Sequence, residues 1–184
     1  MQNQVKSALE MIPDSDWERL AELARKHGHD NVDATTVRKQ YIEYAQSITD
    51  PGKIEIMVKD ESAEAADCIR KSFQLRVGAA GLSGHVDYCA SGGSWSAPGR
   101  VFFSAGGFDF QIRAFELTPE APKQYFRVAV GDDFGIAEID VCFVLTGGKP
   151  CFGIRGEVCY RWYWTGEMYC AGVDHTISCF PQSV

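Results

Sequence analysis

His85 and Asp87 are two residues apart in a stretch that alternates like a strand, so both side chains fall on one face. Such polar pairs occur in barrels that hold ligands. A lone pair of this kind also fits a hydrogen-bonded surface histidine. Cys170, His175 and Cys179 carry metal-ligand chemistry, but their spacing matches no common structural zinc pattern. A nucleophile–base dyad between Cys170 and His175 meets a geometric objection, because straight-strand alternation puts them on opposite faces. His27 and His29 sit at an expected helix end beside Asp30 and read as solvated capping residues. Asp132, Asp133, Glu138 and Asp140 cluster near a turn without EF-hand spacing and read as a charged turn. No dinucleotide fingerprint, phosphate-binding loop, nucleophile elbow or zincin motif occurs. The residues therefore predict no catalytic group, no metal and no cofactor.

The densest functional signal is aromatic: Tyr160-Arg161-Trp162-Tyr163-Trp164. Alternation along a strand prevents all four aromatics from entering one core. Outward Tyr163 and Trp164 beside Arg161 could stack on a sugar ring, lie at a lipid interface or anchor a protein. A second packed layer beneath the N-terminal helices is the bland counterpart. An amphipathic N-terminal helix, a β-sandwich and a Trp/Tyr-rich surface together resemble actinoporin-type cytolysins in outline. That resemblance rests on aromatic density and implies shape alone.

The elements that must position these residues divide into two regions. Sixteen of the 18 glycines lie between Gly78 and Gly172, where aromatic and β-branched residues also concentrate. Residues 1–72 read instead as a helical segment packing on the rest. Ser15 and Glu18 have capping-box spacing, with Trp17, Leu20, Ala21 and Ala24 following at helical period and Gly28 as terminator. A second helix is expected from about Asp33–Thr35, with Val37, Tyr41, Tyr44 and Ile48 as its stripe and Asp50-Pro51-Gly52 as its stop. Ser62–Lys71 fits a third short helix. Before it, Lys53–Lys59 alternates like an edge strand whose lysines discourage edge pairing.

Residues 73–184 read as an antiparallel β-sandwich or closed β-barrel of about seven or eight strands, giving an α+β, mainly β, chain. A Gly147-Gly148 turn would pair Thr146 with Lys149 and place Phe143 opposite Phe152, Val141 opposite Ile154 and Asp140 opposite Arg155. Ile139, Val141, Phe143, Leu145, Phe152, Ile154, Val158, Tyr160 and Trp162 then share a face that must be buried. Cys142 and Cys151 become diagonal neighbours, able to bond only if the turn is longer.

A formal net charge of -7 excludes a general nucleic-acid binder and simple attraction to anionic lipid. No apolar run is long enough for a membrane helix, and no standard signal peptide is visible. Seven cysteines, an odd count without a Cys-x-x-Cys pair, read most simply as reduced thiols in a soluble cytoplasmic protein. Export without a classical signal peptide is the other reading. The expected function is a non-enzymatic binding or effector module contacting membrane lipid or glycan through Arg161, Tyr163 and Trp164, with His85 and Asp87 as further ligand-binding residues. Alternatives are a small barrel holding an apolar ligand, of cyclase or isomerase kind with His175 also at its mouth, and a protein-interaction or inhibitor subunit.

Overall fold

The computed structural model describes residues 9, 11–63, 67–130, 137–146, 151–161 and 167–180. Among the described residues, two complete helices precede nine strands. Helix α1 spans Asp14–Lys26 and α2 spans Ala34–Gln46. Strands β1 (Ile54–Ser62), β2 (Cys68–Val77), β3 (Ala80–Ser91), β4 (Ser94–Ala105) and β5 (Phe108–Leu117) form one antiparallel sheet in chain order. Strands β6 (Lys123–Val130), β7 (Ala137–Thr146), β8 (Cys151–Arg161) and β9 (Met168–Cys179) form a second. The chain is mainly β, and its described strands do not close into a barrel.

Helix α1 begins two residues earlier than the capping-box spacing predicts, with Pro13 at its N-cap and no side-chain cap. Asp14 and Asp16 occupy the first turn, where carboxylates favour the positive end of the helix dipole. Glu18 pairs with Arg25 at 2.7 Å. The C-terminus matches the glycine signal: Gly28 has φ 90°, its N–H donates to the Arg25 carbonyl, and the His29 N–H reaches back to that of Ala24. Asp33 caps α2, its Oδ1 accepting from the Thr36 N–H at 2.7 Å. This bond holds the Asp33 carboxyl below its ordinary pKa. Trp17, Leu20, Ala21 and Ala24 of α1 and Val37, Tyr41 and Ala45 of α2 are buried in the same core as the sheets.

Among the described residues the expected third helix does not form. β1 runs to Ser62 and β2 starts at Cys68; residues 64–66 lie outside the described set. Burial of Phe73, Leu75 and Val77 has period two and extends the ladder back to Ile69 opposite Tyr88 and Cys68 opposite Cys89. Cross-strand pairing outweighs the local helical spacing of that segment.

Two glycine pairs set the register of the first sheet. Gly92-Gly93 (φ 59° and 82°) and Gly106-Gly107 (φ 57° and 88°) supply the positive φ of two-residue hairpin loops. Ser91 therefore faces Ser94, and Ala105 faces Phe108. The expected Gly147-Gly148 loop is different. Thr146 faces Cys151, so four residues separate the paired ends, and residues 147–150 lie outside the described set.

The longer loop slides every partner by two while preserving faces, so Phe143 faces Ile154 and Leu145 faces Phe152. Asp140 consequently faces Glu157. Arg155 pairs instead with Asp174 of β9 at 3.1 Å. Of the face expected to be buried, Phe152, Ile154, Val158 and Tyr160 are buried in the structure.

The two sheets meet through aromatic rings. Phe73 of β2 lies 5.6 Å from Phe152 of β8, and Phe115 of β5 contacts Phe126 of β6 at 5.9 Å. Phe115 also stacks on Phe152 at 6.4 Å, while Tyr88 of β3 stacks on Phe180 at 4.6 Å. These rings fill the space between the sheets. The helices cover one end, where His29 meets Phe108 edge-on at 5.4 Å and Tyr41 covers Gly106.

Six cysteines are paired in disulfides, which corrects the expectation of reduced thiols. Cys68 bonds Cys89 across β2–β3. Cys151–Cys179 and Cys159–Cys170 both cross β8–β9. Each pair stands directly opposite in the register, with Cα atoms 4.3, 3.9 and 4.0 Å apart. The suggested Cys142–Cys151 bond does not form because β9 brings Cys179 to Cys151.

Candidate functional site

The outward face of the five-stranded sheet carries a polar row that the hairpin registers align. Glu61, Arg70 and Asp87 are cross-strand neighbours, as are Lys59, Ser72, His85 and Arg100 one step along. The next step brings Met57, Gln74, Ser83 and Phe102 together. Inner positions of the same strands, such as Leu75, Leu82 and Val101, are buried. Strict alternation thus separates an apolar inner face from a mixed outer one.

An open cleft of about 370 Å³ lies on this outer face. Met57 and Phe102 give it apolar walls, and Gln74, Ser83 and His85 offer neutral hydrogen-bonding groups. Two flanking carboxylates already have partners. Arg70 holds Asp87 in a bidentate pair, Nε to Oδ1 at 2.6 Å and Nη2 to Oδ2 at 2.7 Å, with both side chains only 16% exposed. The Ser72 hydroxyl donates to Glu61 Oε2 at 2.7 Å.

Partial burial and then the Arg70 guanidinium hold the His85 imidazole below its ordinary pKa, with Asp87 opposing in part. His85 is therefore neutral at pH 7, with one nitrogen to donate and one to accept. The structure brings His85 and Asp87 to one face, as their spacing predicts, and gives them different work. Asp87 is committed to Arg70, whereas His85 lines the cleft. Both lie on the outside of the sheet, away from the ring-filled interior.

The aromatic segment divides at the end of β8. Tyr160 is buried, and its hydroxyl donates to the Pro51 carbonyl at 3.2 Å. Burial first, with Tyr169 and Asp50 adding to it, pushes its pKa up to about 12. Gly78 makes room for it: a Cβ there would stand 2.0 Å from the Tyr160 ring. Arg161 ends the strand. The expected ligand residues Tyr163 and Trp164 lie outside the described residues, as do Asp132 and Asp133 of the acidic turn.

His175 is exposed on β9 across from Ile154, and its expected partners Cys170 and Cys179 are both disulfide-bonded. No thiolate remains there for a metal or for nucleophilic attack. The same holds for Glu157, Cys159 and Cys170, whose donor atoms lie close together. Sequence reasoning missed Gln74, Ser83, Phe102 and Met57. Each is an unremarkable residue until the registers of four strands set them side by side.

No family model matches the chain, nor does any curated protein or solved structure. No helix among the described residues is long and apolar enough to cross a membrane.

Proposed function

We propose that this protein is a non-enzymatic binding module that takes a glycan in the outer-face cleft, carried on two sheets layered as an antiparallel β-sandwich. The supporting observation is the cleft's composition: the apolar walls Met57 and Phe102 beside the neutral groups of Gln74, Ser83 and His85. A sugar ring has the matching character, with an apolar C–H face to lie on an aromatic side chain and hydroxyls that donate and accept. Arg70 offsets the charge of Asp87, and Lys59 and Glu61 bring opposite charges to the rim of the cleft, so the site has no excess of one sign to select a charged ligand. The three disulfides favour action in an oxidising compartment.

Calorimetric titration with a panel of neutral mono- and disaccharides tests this reading. Saturable binding that weakens at least about tenfold in Phe102→Ala and in Gln74→Ala supports it, since tenfold corresponds to about 1.4 kcal/mol. The lipid reading rests on the aromatic composition around Arg161, Tyr163 and Trp164. Vesicle binding that is lost in Tyr163→Ala/Trp164→Ala and indifferent to Phe102→Ala would move the function to that segment.

A further inference from the structure

Among the described strands β1 pairs with β2 alone, leaving one side of its backbone unpaired. β9 comes near this edge, its Tyr169 ring lying against Gly52 just before the strand begins. Beyond that point no described strand other than β2 pairs with β1. Residues 57–61 are exposed on both faces of the sheet, with Met57 54% and Val58 39% exposed. Bare edges of this kind are templates for further strand pairing.

The outward side chains along β1 and the residue before it read Lys53, Glu55, Met57, Lys59, Glu61. This row is its own charge complement. When a second copy of the strand lies antiparallel with Met57 opposite Met57, Glu55 of each copy faces Lys59 of the other. Lys53 likewise faces Glu61, and Ile56 faces Val58 on the opposite surface. Each cross-strand ion pair is made twice because a two-fold axis repeats it. Shifting the register by two residues in either direction brings like charges together, Glu55 opposite Glu61 or Lys53 opposite Lys59.

We infer that β1 is a self-pairing edge, joining two copies of this chain through an antiparallel β1–β1 contact centred on Met57. The two five-stranded sheets become one continuous sheet. Lys53 pairs with Glu55 within the chain at 2.9 Å, and in a second copy of the same chain, in this one register, both lysines of the row also face glutamates across the seam. The wall of the cleft formed by Met57 and Lys59 lies at the new seam, so the two clefts stand side by side.

Sedimentation velocity of the full chain over a micromolar to near-millimolar range, at low ionic strength, tests this. The wild type is expected to dimerise reversibly and to weaken as salt rises. Lys59→Glu and Glu55→Lys each place like charges opposite one another and are expected to raise the dimer Kd at least about tenfold. An equimolar mixture of the two single variants regains association as a heterodimer, because each then supplies what the other lacks. Circular dichroism confirms that both variants fold. A wild type monomeric at every concentration overturns the inference. So does a dimer unchanged by both substitutions, or a mixture of folded variants that does not associate.

Discussion

In the five-stranded sheet three of the four strand connections are two-residue loops, and one disulfide ties β2 to β3. In the four-stranded sheet β8 and β9 carry two disulfides on a single outer face, one near each end of the pair. The inner faces differ too. The first sheet buries Phe73, Leu75, Leu82, Val101, Phe103, Phe108, Phe110 and Phe115. β8 and β9 rely on Phe152, Ile154, Val158, Tyr160, Val173 and Ile177. Short loops fix register through backbone geometry, whereas disulfides fix it by covalent bonds and by limiting the unfolded chain. The first device leaves the outer face free for polar side chains. The second occupies that face with sulfur and leaves less of it for a site.

The largest test of this contrast is at the ring that joins the sheets. Phe152→Ala removes contacts with Phe73 and Phe115 together and is expected to cost about 3–5 kcal/mol in urea unfolding. A loss below 1 kcal/mol would mean that the sheets do not share one core. Next comes the covalent pinning. Cys159→Ser/Cys170→Ser opens an 11-residue separation and is expected to cost about 2–3 kcal/mol, with faster amide exchange confined to β8–β9. Exchange that rises equally in β2–β3 would erase the distinction between the sheets.

Arg70→Ala probes the other side of the comparison. It leaves Asp87 half-buried beside the cleft and is expected to destabilise by about 1–3 kcal/mol, measured by thermal unfolding. The smallest effect is that of pH. The folded-state pKa of His85 lies below its unfolded value, so protonation favours the unfolded chain. Its contribution is complete above about pH 6.5 and declines as the pH falls below that value. Between pH 7.5 and 5.5 the wild type is therefore expected to lose slightly more stability than His85→Gln. Equal losses would remove His85 from the linkage.

Much of this architecture was legible from local signals. The Gly28 terminator and the start of α2 near Asp33–Thr35 could be read from local residues, whereas a Gly-Gly pair closes a two-residue loop at Gly92-Gly93 and Gly106-Gly107 but not between Thr146 and Cys151. What was not legible depends on partners distant in sequence. The Cys68–Cys89 bond requires β2 to begin at Cys68, where Ala65, Ala66 and Ile69 have helical spacing. Cys151–Cys179 requires the β8–β9 register, which sequence spacing does not set. Spacing joined His85 to Asp87 but could not assign Asp87 to Arg70, 17 residues away. The walls of the cleft come from four strands, so Phe102 and Met57 carried no signal of their own.

The central claim, that the outer face of β1–β4 is the binding surface, is tested most directly by amide NMR during titration with the saccharide panel. Saturable shifts are expected at Ser72–Gln74, Ser83–His85 and Phe102, with an apparent Kd raised at least about tenfold in Phe102→Ala. Shifts confined to β8–β9, or no shifts with any saccharide at millimolar concentration, would contradict it.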